Sequence, residues 1–237
     1  MTPRSPAARD LAALAALLAD ETRAAFCLAL LDGRAWTAGE LARHARVAPS
    51  TASAHLGRLV EGGLLAEERQ GRHRYVRLAG ARAARLVEDL VAHTLPDAGP
   101  PPPRTLREAG ARSAMARGRT CYDHLAGRLG IAITDAMTAR GLLRQDAGFA
   151  LSEEGLRWFA DLGVELAARG RRPLARGCLD WTERRPHLAG AAGAALCRHA
   201  LDAAWCVRVG TEHAVRVTAE GQRALADLLG IGPGALR

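Results

Sequence analysis

Residues Thr37–Leu78 read TAGELARHARVAPSTASAHLGRLVEGGLLAEERQGRHRYVRL, and the order of signals in this stretch decides the architecture. Thr37 with Glu40 three residues on is a capping-box pattern, which starts a helix over Ala38–Ala45. A short turn through Arg46 and Val47 follows. Ala48-Pro49-Ser50 opens a second helix, because proline suits a first helical turn where its missing N–H costs nothing. Ser50 either caps that helix or presents its hydroxyl to a ligand. The helix runs to about Val60 and stops at Gly62-Gly63. Leu64–Arg69 and His73–Leu78 then read as two strands turning at Gln70-Gly71-Arg72.

Working outward, Leu11–Leu18 is an apolar first helix. Asp20 or Thr22 caps a second, Glu21–Asp32, which Gly33 ends. Cys27 lies on this helix where a core residue fits, so packing is its expected role. A last helix over Ala81–His93 closes the segment.

Helix, turn, helix and then a hairpin is the winged helix-turn-helix order. With the preceding DETRAAFCLALL, the stretch resembles the ArsR family of bacterial repressors over roughly residues 8–93. Leu41, Val47, Ser53, Leu56, Leu59, Gly63 and Leu64 carry the resemblance. It implies a homodimer on a pseudo-palindromic operator in double-stranded DNA, released when an inducer arrives. Two metal sites known in that family lack their ligands here. The helix before the recognition helix, TAGELARHA, has no cysteine. The last helix offers Glu88, Asp89 and His93 without the second histidine group.

Charge supports an anionic partner. The chain has 237 residues, 33 basic and 25 acidic, for a formal net charge of +8. Between Arg43 and Arg85, nine arginines face three acids (Glu61, Glu67 and Glu68), a local +6. A solvated surface mixes its signs, so this concentration fits phosphate contact. Residues near the start of a recognition helix reach base edges. The expected contacts are therefore Ser50, Thr51, Ser53, Ala54, His55 and Arg58, with Arg69, Arg72, His73 and Arg74 on the wing.

Pro96–Thr105, PDAGPPPPRT, cannot continue a helix and reads as a stiff spacer. Beyond it, Gly141–Val164 and Ala204–Ile231 share a plan: strand, turn, strand, then a helix capped at Ser152 or Thr218. This region is expected to hold winged-helix-like hairpin-helix units. Two segments stand out, RTCYDHLAGRLG around Cys121 and RGCLDWTERRPHLAG around Cys178. Each sets a Cys before a His at what reads as a helix entry, with Cys121 and His124 sharing a helical face. Three readings stay open. Cys121, His124, Cys178 and His187 could form a tetrahedral soft-ligand site. Trp181 could stack on an organic inducer whose carboxylate Arg184 or Arg185 holds. The polar pairs could also be structural.

The expectation is a mainly α chain with short β-hairpins (α+β). A winged helix-turn-helix over 1–95 precedes a Pro-rich linker over 96–105 and a sensor and dimerisation domain over 106–237. The expected function is a dimeric DNA-binding repressor released by a small molecule or a metal. Its five cysteines are odd in number and without close pairing, as free thiols in the cytoplasm would be. No apolar run is long enough to span a membrane. A protein-interaction module is the alternative, and would not need the basic wing. A small enzyme is a weaker one, since no glycine-rich loop, GxSxG, HExxH or P-loop follows residue 105.

Overall fold

A computed structural model describes residues 5–70, 73–94, 106–146, 148–166, 172–180, 182–209 and 213–236. The expected spacer over 96–105, the wing-tip Arg72 and the expected stacking residue Trp181 lie outside them. The chain divides into two compact units, Met1–Val87 and Glu88–Arg237.

The first unit follows the sequence signals closely. α1 (Pro6–Leu18) precedes α2 (Glu21–Ala29), whose Asp20 cap accepts from the Arg23 backbone N–H at 2.9 Å. The end of the expected Glu21–Asp32 helix tightens into a 3₁₀ turn, Leu30–Asp32, before left-handed Gly33. The Thr37 capping box forms: its hydroxyl accepts from the Glu40 N–H, and Glu40 accepts from the Thr37 N–H at 2.7 Å. It opens α3 (Ala38–Ala45), and left-handed Arg46 turns the chain into α4 (Pro49–Glu61). One strand was not anticipated. β1 (Trp36–Thr37) pairs with β3 (His73–Leu78), which also pairs with β2 (Leu65–Gln70), giving the order β1-β3-β2. Phe26, Leu30, Leu41, Leu56, Leu59, Val76 and Leu78 are buried.

α5 (Ala81–Thr94) straddles the division, with Ala83, Ala84 and Val87 buried before it and Glu88 buried after it.

In the second unit, α6 (Leu106–Arg117) follows the end of α5, and one motif then runs twice. The first copy is the hairpin β4 (Arg119–Cys121)–β5 (His124–Ala126), α7 (Gly127–Ala139), the hairpin β6 (Leu143–Arg144)–β7 (Ala150–Leu151) and α8 (Glu153–Asp161). The second is β8 (Arg176–Leu179)–β9 (Pro186–Ala189), α9 (Gly190–Asp202), β10 (Cys206–Arg208)–β11 (Val215–Val217) and α10 (Ala219–Leu229). Ser152 caps α8 and Thr218 caps α10, each accepting from a glycine N–H. The repeat legible in the sequence is therefore the second half of a longer one. Each half packs its central helix on the other's first hairpin: α9 meets β5 and α7 meets β9. Glycine permits the approach. A Cβ on Gly193 would fall 3.2 Å from His124 Cβ of the other half's hairpin. The same glycine and Gly130 also let each helix close on its own hairpin, where a Cβ would fall 2.5 Å from the Leu188 carbonyl oxygen and 2.4 Å from that of Leu125. Leu129, Met137, Phe159, Leu196 and Leu225 lie in the shared core.

Candidate nucleic-acid interface and buried Cys-His cluster

In the first unit, α4 buries Ala52, Leu56 and Leu59 and exposes Ser50, Thr51, Ser53, Ala54 and Arg58. The helix begins at Pro49, and its cap position Ala48 makes no side-chain bond. Ser50 is therefore not the cap, and its hydroxyl lies on the exposed face. His55 sits differently from its neighbours. It is half-buried, with Nδ1 3.2 Å from a terminal nitrogen of Arg23 and 3.5 Å from Asp20 Oδ1. The buried Arg23 was not anticipated. It also donates to the carbonyls of Ala16 and Leu17, which are left without helical partners at the end of α1. One guanidinium thus ties α1, α2 and α4 together.

On the wing, Arg69 stands directly across from Arg74. Glu67 accepts from both, from Arg69 Nε at 3.2 Å and from an Arg74 terminal nitrogen at 2.7 Å. Its carboxylate offsets part of the charge that these arginines present. His73 opens β3.

In the second unit, the segments around Cys121 and Cys178 meet, but not as helices. Cys121 faces His124 across the β4–β5 hairpin, and Cys178 faces His187 across β8–β9. The expected shared helical face for Cys121 and His124 is corrected: Tyr122 at φ 55° makes a tight turn, and the helix begins only at Gly127. The hairpins bring all four residues together. Their ligand atoms, two Sγ and two imidazole nitrogens, lie within 4.8 Å of one another. The two imidazole rings are 5.1 Å apart. Of the expected pocket residues, Arg184 and Arg185 do not join them. Arg184 and Arg185 are exposed, and Arg185 pairs with Asp135 at 2.7 Å.

Each histidine has a carboxylate beside Nδ1. Asp123 lies 3.4 Å from His124 Nδ1, and Asp180 lies 3.3 Å from His187 Nδ1 at an angle too oblique for a good hydrogen bond. Both Nε2 atoms are buried and have no hydrogen-bond partner. With His187 Nδ1 this makes three such nitrogens in one cluster, and since a buried unsatisfied polar atom costs about 1–3 kcal/mol, they call for an explanation. Burial opposes a charge on His124, yet the Asp123 carboxylate and the nearby Cys178 sulfur lift it to about 9. The Cys178 thiol is pulled far down by its neighbours, first Cys121 and then His124 and His187.

Asp180 is the hub of the second hairpin and is fully buried. Its Oδ1 accepts from Arg119 at 2.7 Å and from the Thr182 N–H, the Thr182 hydroxyl and the Glu183 N–H. Its Oδ2 accepts from the Gly127 N–H at 2.7 Å. Burial works to raise this carboxyl, and His187 and Arg119 together hold it well below the usual range. Glu88, near the start of the unit, accepts from the Cys121 thiol at 3.3 Å and from Arg176 at 2.7 Å. Asp123 and Asp180 lie within the two segments singled out by sequence, and Glu88 on the last helix of the first domain, but sequence assigns none of them these roles. An Asp beside each Cys-His segment was the available signal.

A helix-turn-helix domain model matches residues 18–68. Over 225 residues the chain is 40% identical to YdfF of Bacillus subtilis (strain 168), described as an uncharacterized HTH-type transcriptional regulator; the match covers 94% of this chain and 98% of that one. This chain belongs to the HTH-type transcriptional regulators, with a DNA-binding helix-turn-helix domain. Among solved structures, the repressor BigR from Xylella fastidiosa is 29% identical, with a TM-score of 0.35 over 38% of this chain and 91% of that one. A homodimeric winged helix-turn-helix domain from Mycobacterium bovis, a possible ArsR-family regulator, is 30% identical, with a TM-score of 0.34 over 39% and 91%. Among the described residues, no helix is long and apolar enough to cross a membrane.

Proposed function

We propose that the chain is a cytoplasmic, dimeric repressor that binds a pseudo-palindromic operator and leaves it when an effector occupies the second unit. The observation that carries this is the exposed face of α4, where Ser50, Thr51, Ser53 and Arg58 stand clear of the core. Small hydroxyl side chains let a helix approach base edges closely, and Arg58 lies a turn further on, in reach of a phosphate or a guanine. Arg69, Arg72 and Arg74 supply the flanking backbone contacts. His55, held by Arg23 and Asp20, sets the angle of α4 more than it reads bases.

Dimerisation is supported by α1, an apolar helix with no buried residue, on which Leu11 is 67% exposed. Two copies would present α4 to half-sites about one helical turn apart. Effector binding in the second unit is supported by its buried polar cluster. Arg184 is exposed and Arg185 is already engaged by Asp135, so the cluster is the better candidate.

A salt series of anisotropy titrations on DNA from upstream of the protein's own gene tests the reading. A sequence-specific complex whose affinity falls steeply with salt is expected. Loss of that slope in an Arg72→Ala/Arg74→Ala double variant identifies the wing. A complex that neither prefers its own upstream DNA nor responds to salt would favour protein contact instead.

A further inference from the structure

We infer that Cys121, His124, Cys178 and His187 form a binding site for one thiophilic divalent cation of the zinc class, held where the two halves of the second unit meet. The inference rests on the effector reading above for its consequence, but not for the site itself.

Four observations converge. The donor set is two thiol sulfurs and two imidazoles, the combination that tetrahedral zinc takes in closed sites. Their ligand atoms already lie within 4.8 Å of one another. A tetrahedron with bonds of about 2.0–2.3 Å needs edges of about 3.3–3.8 Å, so the side chains need close in by only about 1 Å. Both Nε2 atoms are buried without a partner, and each belongs to a ring with a carboxylate beside its other nitrogen. That is how metal-bound histidines are oriented. The backbone is built for the approach as well. A Cβ on Gly193 would come 3.2 Å from His124 Cβ, and one on Gly130 would come 3.5 Å from His187 Cβ.

A Cys121–Cys178 disulfide is the competing use of the two sulfurs. It would leave both imidazole nitrogens without partners, which the metal reading does not. Four protein ligands also leave no open coordination position, so the ion would be structural or regulatory and not catalytic. Cys121, the least buried of the four, gives the ion its way in.

Coordination also connects the site to α5. The Cys121 thiol donates its proton to Glu88 Oε1. On binding, the cation takes the two sulfurs as thiolates and the two imidazoles as neutral ligands, and the protons these groups held pass to solvent. Glu88 then loses its donor and faces a sulfur that carries negative charge. α5 runs from the winged helix-turn-helix unit to this carboxylate, so the ion acts on a helix shared with the DNA-binding unit.

The test uses the full chain, reduced and stripped with a chelator, titrated with cobalt(II) chloride alone. The expected result is one ion per chain, with tetrahedral ligand-field bands and sulfur-to-cobalt charge transfer, displaced by one equivalent of zinc(II). Cys178→Ser and His187→Gln should each lower affinity at least tenfold, whereas Cys197→Ser should not. Circular dichroism checks that each variant is folded. If a variant fails to fold, zinc protection of Cys121 and Cys178 from alkylation in the parent chain takes its place. Absence of charge transfer, or a Cys121–Cys178 disulfide as the only change, overturns the site and leaves the repressor reading standing. Zinc bound at the four ligands with operator affinity unchanged keeps the site and overturns its role in release.

Discussion

Replacing Asp180 with Asn should destabilise the protein by about 3–5 kcal/mol, because this carboxylate neutralises a buried cation and collects donors on both oxygens. Arg119 is 2% exposed and Asp180 is fully buried. Asn can keep its oxygen where four donors converge on Oδ1. Its NH₂ then takes the place of Oδ2 and meets the Gly127 N–H, donor against donor, at a position now only 2.7 Å away. That N–H is left unsatisfied, at about 1–3 kcal/mol, and the Arg119 charge loses its counterion. Arg119 retains the Met115 carbonyl and the Thr182 hydroxyl, which keeps the total from climbing higher. At about 2–4 °C per kcal/mol, the melting temperature should drop by about 6–20 °C. Urea unfolding followed by tryptophan fluorescence, with chelator present, reads this from Trp158 and Trp205 in the second unit. Asp135→Asn is the matched control. Its partner Arg185 is at the same 2.7 Å, but the pair is about half exposed, and the loss should stay below about 1 kcal/mol. An Asp180→Asn midpoint within 1 kcal/mol of the parent would refute the argument that this buried pair organises the hairpins.

Other outcomes follow from the same geometry. Gly193→Ala should fold poorly and weaken cobalt binding, since its methyl meets the Leu188 carbonyl at 2.5 Å; near-parental melting and cobalt affinity would show that the backbone can yield there. Glu67→Gln should tighten operator binding about two- to fivefold and steepen its salt dependence, because it removes the charge offsetting Arg69 and Arg74; unchanged anisotropy curves would remove Arg69 and Arg74 from the DNA contacts. Burial pushes the Cys27 thiol up to about 11 and the Cys197 and Cys206 thiols to about 12, so these three should resist a thiol reagent at pH 8 in the folded chain, and rapid labelling of all five would contradict that packing.

The first unit was nearly all legible because its signals are local. Thr37 and Glu40 specify a cap by themselves, Pro49 specifies a helix start, and the Gly62-Gly63 pair a stop. What escaped there depends on distant partners: β1 exists only because β3 lies beside it, and Arg23 finds its acceptors on another helix. In the second unit the Cys-His residues were identifiable as types. Their arrangement was not, because a Cys-x-x-His spacing fits a helical turn as well as a tight hairpin. Tyr122 in a left-handed conformation decides between them, and no residue preference announces that. The four residues come together only through the packing of one half of the repeat against the other. His187 lies 63 residues beyond His124, and the second hairpin loop is longer than the first, which hides the correspondence. Which arginine faces a cavity also depends on the packing: Arg184 is exposed, whereas Arg185 pairs with Asp135 and lines a cavity of about 630 Å³ with Arg128 and Arg140.

In the proposed mechanism the Cys-His cluster and the DNA-binding unit are thermodynamically linked. The direct measurement is the zinc(II) affinity of the full chain, by competition with a chromophoric chelator, with and without saturating operator DNA. Coupling is reciprocal, so operator should weaken zinc binding by the same factor by which zinc weakens operator binding, about 5–150-fold for typical allosteric proteins. Equal zinc affinities in the presence and absence of operator would contradict that linkage.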